Sequence, residues 1–234
     1  MPKLRPPVSV RSLGPVFLLL LSFSVVRNSS AQATTQTAAQ RQLDRIDFAI
    51  SAAGELTTSA SGVEQRDINF THSTLTIKPS STVGELVTLR YTAKPYFGLE
   101  FNFGNARFTQ NYTFSPRPSP TILPSAQASA RELTFGYIAH PGYRPFGLQP
   151  FLGAGAGTIR FKPTTYGGQS LPPQYRAAYY YTLGVEDNFP GSHFGVRVGF
   201  RQLVYLAPDF LQNYLTIIRH VRTSEPTIGF YVRF

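Results

Sequence analysis

Short runs in which apolar and polar residues alternate recur from residue 46 to the end of the chain. The clearest is 227–234, TIGFYVRF, where every second residue is Ile, Phe or Val. Successive side chains of a β-strand point to opposite faces, so each run predicts a strand with one apolar and one polar face. Eight such runs are present, at 46–56, 85–93, 96–104, 131–140, 149–161, 177–187, 193–201 and 225–234. Their lengths of 9 to 13 residues suit strands that cross a bilayer, which need about 9–11 residues.

The connections between these runs alternate between long and short, with lengths of 28, 2, 26, 8, 15, 5 and 23 residues. This rhythm predicts an all-β, eight-stranded antiparallel up-and-down transmembrane β-barrel with its long loops on one side. In the first long connection, 68–72 and 75–78 are strand-like, and they either extend the barrel or form an extra hairpin that would make ten strands. The proline-rich segment 115–125 predicts an exposed loop. The run 203–210 either continues the seventh strand or packs on the rim.

The two faces of the runs predict which side meets lipid. The aromatic and aliphatic face is almost free of charge in mid-strand, which is typical of a lipid-facing surface, whereas the opposite face combines glycine with charged residues. The charged residues predicted to line the lumen are Asp47, Arg90, Glu100, Glu132, Arg160, Glu186, Arg197, Arg201 and Arg233. An isolated buried charge costs several kcal/mol, so these arginines and carboxylates are expected to pair. The alternative is a soluble, lipocalin-like barrel with the charges outside.

The first 33 residues predict a cleaved signal peptide. A basic leader precedes the apolar run 13–26, which is too short to span a bilayer as a helix, and Ala31-Gln32-Ala33 supplies a cleavage pattern. An uncleaved anchor is the alternative. Residues 34–45 are then a periplasmic lead-in and 46–234 the barrel. Cleavage would remove four basic residues and no acidic one, so the net charge falls from +10 to +6.

The composition narrows the possible functions. The chain has no cysteine, which excludes disulfides and thiolate metal sites. Its arginines are spread about one per strand instead of forming a patch with aromatic residues, so no nucleic-acid partner is expected.

In three segments the chain resembles the small outer-membrane β-barrels of Gram-negative bacteria, of the OmpA/OmpX/OmpW type. The segments are QPFLGAGAG at 149–157, GVRVGF at 195–200 and TIGFYVRF at 227–234. The resemblance implies location in the bacterial outer membrane, contact with its lipid, and an assembly signal for the outer-membrane insertion machinery. The signal residues would be Thr227, Gly229, Val232 and Phe234, of which Val232 replaces the aromatic residue usual in that family.

No catalytic, cofactor or metal site is predicted. The segment His72-Ser73-Thr74 distantly resembles the His-x-Ser of outer-membrane lipid A deacylases, but it lies in a long loop, and Asp47 with Glu100 is more simply explained by salt bridges. We therefore expect a monomeric, non-enzymatic barrel with a charge-plugged lumen, serving envelope structure or surface interaction. A narrow channel or carrier for a small or hydrophobic solute is the alternative, and a lipid-modifying enzyme a lesser one.

Overall fold

A computed structural model describes residues 37–63, 74–94, 96–115, 121–211 and 217–234. Ten strands dominate these residues: β1 Ile46–Thr57, β2 Ala60–Val63, β3 Thr74–Pro79, β4 Thr82–Lys94, β5 Phe97–Ser115, β6 Thr121–Ala139, β7 Gln149–Pro163, β8 Gln174–Asn188, β9 Phe194–Leu206 and β10 His220–Arg233. A short helix, α1 Ala38–Leu43, precedes them, and a 3-10 turn at Pro145–Gly147 lies between β6 and β7. The predicted signal peptide lies outside the described residues. No described helix has the length and hydropathy needed to span a membrane.

Eight of the strands close into a barrel. The antiparallel order β4-β1-β10-β9-β8-β7-β6 is completed by β5, which pairs with both β4 and β6. The first and last strands of the ring are joined by nine residue pairs between β1 and β10, from Asp47↔Arg233 to Thr57↔Thr223. The predicted eight-stranded, up-and-down antiparallel barrel is therefore confirmed.

The two remaining strands raise the wall at one end. β3 pairs with residues 110–115 of β5, and β2 pairs with β3. Predicted segment 75–78 thus extends the barrel wall instead of adding a strand to the ring, while 68–72 lies outside the described residues. We call the end that β2 and β3 extend the long-loop end. We call the opposite end, which holds α1 and the connections 140–148 and 189–193, the short-loop end.

The hairpin of β5 and β6 is much taller than predicted. The sequence places a loop at 105–130, but β5 continues to Ser115 and β6 begins at Thr121. The loop prediction was wrong for 105–115 and 121–130, because Pro124 sits at a bulge, between the pairs Gln110↔Ala126 and Tyr112↔Leu123, where a proline does not interrupt the ladder. Residues 116–120 of the predicted proline-rich loop lie outside the described residues. β9 likewise continues to Leu206, so the first half of 203–210 extends the seventh strand.

The outer surface of the barrel is a belt of exposed apolar side chains. It includes Leu89, Phe101, Phe103, Leu133, Phe135, Tyr137, Leu152, Tyr179, Leu183, Val198, Ile228 and Phe230. The residues alternating with them are buried and include most of the predicted lumen charges. This arrangement is inverted relative to a soluble barrel, which excludes the lipocalin-like alternative.

Candidate functional site

An ion-pair network crosses the lumen near the short-loop end, with Glu186 of β8 at its centre. Glu186 accepts hydrogen bonds from Arg90 Nη1 at 3.1 Å, from Arg197 Nε at 2.9 Å and from Arg233 Nη2 at 3.3 Å. The side chains of Glu186, Arg90 and Arg197 are almost fully buried. One carboxylate of β8 thus contacts β4, β9 and β10, and of these β4 lies across the lumen from β8.

Two further carboxylates balance the charge of this network. Arg90 Nε donates to Glu100 at 2.6 Å, and Arg197 Nη2 donates to Asp47 at 2.9 Å. The ring of Phe151 lies 4.3 Å from the Arg90 guanidinium, which adds a cation–π contact. Three guanidinium groups face three carboxylates, so this layer is neutral. Because Asp47 and Glu100 bind different arginines, their placement does not suggest a catalytic carboxylate pair.

A second cluster lies one layer closer to the long-loop end, around Arg201 of β9. Arg201 forms a salt bridge with Glu132, a second one with Glu225 at 2.8 Å, and a hydrogen bond to Thr134 at 3.0 Å. Its guanidinium stacks 4.4 Å from the ring of Tyr180, whose hydroxyl donates to Glu100 of the first network at 3.1 Å. The two clusters therefore form one continuous polar structure.

The structure places eight of the nine predicted lumen charges in the barrel interior. Arg160 is the exception, because β7 buries Phe151, Ile159 and Phe161, so that Arg160 falls on the outward face with Thr158. The sequence analysis assumed that the aromatic face of each strand meets lipid. On β7 this assumption is wrong, because Phe151 and Phe161 point into the barrel interior. Arg160 instead stacks 5.5 Å from the ring of outward-facing Tyr175.

Three interior groups were missed by the sequence analysis. Glu225 shares the lumen-facing parity of Thr227 and Gly229, and Glu55 that of Asp47, so strand parity alone could have identified both. Glu55 adjoins Glu225, which gives the Arg201 cluster more acidic than basic groups. His140, the residue that follows β6, is buried with its Nε2 3.6 Å from Glu186. Its burial follows from the chain path after β6 and has no local sequence signal.

Above the two charged layers, the interior is apolar. The members of this upper chamber include Ile77, Tyr112, Ala126, Ala128, Ile159, Phe161, Leu203, Tyr205, Ala207 and Phe210. A small cavity of about 40 Å³ lies between its apolar walls and the carboxylates of Glu55, Glu132 and Glu225. The side-chain amide of Gln110, which is fully buried beside this cavity, has no hydrogen-bond partner among the described residues.

The short-loop end opens into a larger pocket of about 350 Å³. Its floor is Glu186, and its rim includes Arg45, Lys94 and Arg144 together with acidic Asp44 and Asp187. The pocket thus reaches Glu186, the central carboxylate of the first ion-pair network.

The four residues predicted to form the assembly signal lie along the seam that closes the ring. Gly229 packs against Ser51 of β1, while Phe234 points outward and donates its backbone N–H to Ile46 O at 3.3 Å. Thr227 and Val232 pair with Ala53 and Phe48. Their role as a signal remains a prediction. His72 and Ser73 lie outside the described residues, and no group of metal ligands occurs among those described.

An eight-stranded antiparallel barrel with an apolar exterior and a charged interior is the architecture of small outer-membrane β-barrels, as the sequence resemblance predicted. No family model and no curated protein matches the chain. Solved structures similar to it include neisserial surface protein A, with a TM-score of 0.45 and 13% identity over 80% of this chain and 97% of that one. The outer membrane protein OprG from Pseudomonas aeruginosa gives 0.46 and 14%, covering 80% and 95% of the two chains. The attachment invasion locus protein Ail of Yersinia pestis gives 0.41 and 15%, covering 81% and 99%.

Proposed function

We propose that this protein is a non-enzymatic outer-membrane barrel whose lumen is closed to ions, and that it acts through its outer surface and its long-loop end. The observation that carries the proposal is the Glu186 network. Arg90 and Arg197 are held there by two carboxylates each, and both side chains are almost fully buried. An ion crossing this layer would have to separate several buried pairs at once, and each costs several kcal/mol to break.

The second cluster supports the same conclusion. Arg201 bridges β6 and β10 through Glu132 and Glu225, and the apolar chamber follows directly above it. A hydrated ion would therefore meet two salt-bridged layers and then an apolar layer. With the lumen closed in this way, envelope structure and contacts of the long-loop end are the roles that this barrel can serve.

Planar-bilayer recording of the purified protein tests the closed lumen. We expect no steady single-channel steps from the wild type, and none from Glu186→Ala/Arg197→Ala, because the Arg201 cluster and the upper chamber still close the lumen when the centre of the first network is removed. Arg222→Ala, an exposed position on the outer wall, is the matched control and should stay silent. Heat-modifiable migration on gels verifies that each variant is folded. Steady steps from the wild type would contradict the proposal.

One other function is supported by the upper chamber, the uptake of a small hydrophobic solute from the long-loop end. The supporting observations are the apolar walls of the chamber and its cavity of about 40 Å³. A solute larger than a water molecule would have to displace side chains such as Tyr205. Liposome uptake of a labelled alkane separates the two functions. Uptake that is lost in Leu203→Asp would favour the carrier, and absence of uptake would favour the closed barrel.

The non-enzymatic part of the proposal has its own test. If the barrel modified lipid, expressing it in a bacterium would change the mass of lipid A. We expect an unchanged lipid A mass spectrum, and a new species that appears only on expression would overturn this part.

A further inference from the structure

Four cations form a patch on the outer wall, across the neighbouring strands β5, β6 and β7. The outer basic patch consists of Arg107, Arg131, Arg160 and Lys162. Arg131 of β6 lies directly opposite Arg160 of β7, and Ser129 is opposite both Arg107 and Lys162. The four side chains therefore occupy two adjacent rows on the same face of the sheet.

The patch sits at the edge of the apolar belt. On β6, the outward residues that follow Arg131 toward the short-loop end are Leu133, Phe135 and Tyr137, and all three are highly exposed. In the opposite direction the outward residues are Ser129 and Gln127, which are polar. The patch thus marks the height at which the wall changes from apolar to polar, where lipid headgroups meet a membrane barrel.

The protein itself does not neutralise this patch. Like charges directly opposite on neighbouring strands destabilise a sheet, yet no carboxylate within the described ranges forms an ion pair with any of the four cations. Arg160 Nε is buried without a hydrogen-bond partner there. Glu85, an acid in the same outward row, accepts a hydrogen bond from Asn105 at 2.9 Å. By contrast, every arginine in the lumen networks has a carboxylate partner.

We infer that the outer basic patch binds the phosphate groups of an anionic lipid in the leaflet at the long-loop end. Arg131 and Arg160 offer two planar guanidinium groups that hold phosphate oxygens in a bidentate manner, and Lys162 and Arg107 add positive charge one row above. A phosphate between the two arginines relieves their repulsion, while the lipid's acyl chains lie along Leu133 and Phe135. This inference rests on the proposed function, since the wall faces lipid only if the barrel spans a membrane.

Native mass spectrometry of the barrel released from nanodiscs tests the inference. The nanodiscs contain phosphatidylcholine with phosphatidic acid as a minor component, and the readout is the number of each lipid retained. We expect the wild type to retain phosphatidic acid about tenfold above its share of the bilayer, and Arg131→Gln/Arg160→Gln to lose this preference. Arg222→Gln is the matched control, because Arg222 is an exposed cation on β10 that faces Val204, and it should behave as wild type.

The possible outcomes separate the inference from the proposed function. Equal retention of the two lipids by a wild-type barrel that incorporates into nanodiscs overturns the lipid site alone. An equal loss in Arg222→Gln also overturns it, since the effect would then be general surface charge. Displacement of phosphatidic acid by millimolar inorganic phosphate would assign the patch to a free anion instead. A protein that does not incorporate at all overturns the proposed function as well.

Discussion

Replacing Arg201 with methionine removes the cation of the upper lumen cluster while keeping a side chain of similar length. Arg201 is 2% exposed and contacts Glu132, Glu225 and Thr134. Within the described part of the chain, each of these two glutamates has Arg201 as its salt-bridge partner and no other. The variant therefore leaves two buried carboxylates without a counter-charge.

The expected loss of stability is large because neither glutamate has a second cation to pair with among the described residues. Removing one partner of a buried ion pair costs about 3–5 kcal/mol, because the remaining charge is buried and uncompensated. After the change, Glu132 keeps a hydrogen bond from Thr134 at 2.8 Å, which offsets only part of the loss. The stacking of Arg201 on Tyr180 is lost as well and is worth about 0.5–2 kcal/mol. We therefore expect a loss in the upper half of the 3–5 kcal/mol range.

Urea unfolding from lipid vesicles measures this change. The chain has no tryptophan, so circular dichroism and the gel mobility of the folded barrel are suitable signals. With a urea dependence of roughly 2 kcal/mol per molar, the midpoint should fall by about 2 M. Arg222→Met is the control, since Arg222 is exposed on the outer wall, and surface changes usually stay within about 0.5 kcal/mol.

A double-mutant cycle identifies the cause. Glu132→Gln alone should destabilise the barrel, but in the Arg201→Met background it removes an unpaired buried charge and should restore part of the stability. We expect a coupling of about 0.5–3 kcal/mol between the two positions. Additive effects, or an Arg201→Met midpoint that matches the Arg222→Met control, would refute the interpretation of Arg201 as a buried counter-ion.

Two further predictions concern closure and packing of the ring. Deletion of Phe234, whose N–H pairs with Ile46 O, should lower the amount of assembled barrel in the outer membrane more than deletion of loop residues 165–170. Equal amounts of the two deletion variants in the outer-membrane fraction would disprove this. Gly136→Ala should cost about 1–3 kcal/mol in the same unfolding assay, because its new methyl group would lie 2.6 Å from the Tyr180 hydroxyl and also contact the β7 backbone. Gly62→Ala, where the nearest atom would be 3.4 Å away, should change stability by about 0.5 kcal/mol or less, and a similar cost at both positions would exclude steric crowding as the cause.

The ring was predictable because a bilayer imposes one rule on every strand that crosses it. The outward residue must be apolar and its neighbour can be polar, so a run such as 194–201 reveals both its strand and its lumen face. For the same reason, parity predicted a lumen face for Arg197, Arg201 and Glu186, and all three side chains are buried. Which groups pair could not be predicted, since Arg90 reaches Glu186 on a strand that does not adjoin its own.

One physical cause contributes to two of the errors, the missed β5–β6 hairpin and the misplaced Arg160: the rule ends where the membrane ends. Beyond the apolar belt the outward residues of β5 are polar, including Asn105, Arg107 and Thr109, while inward positions such as Ala106 and Tyr112 are buried and apolar. Where the outer face of a strand meets water, its outward residues are polar and its inward residues apolar, as in a soluble barrel. The tall β5–β6 hairpin was therefore mistaken for a loop.

The wall thus changes polarity at one level, and this change connects the separate features of the molecule. Below it, lipid requires apolar residues outside, so the interior takes the charges and must pair them across the lumen. Above it, water outside allows an apolar interior, which Phe161 and Leu203 fill. β7 crosses this level with Ile159 directed inward, and Arg160 is therefore directed outward at the edge of the apolar belt. The inward aromatic residues that misled the assignment of Arg160 to the lumen thus place it opposite Arg131, where the lipid phosphate that we infer would neutralise both.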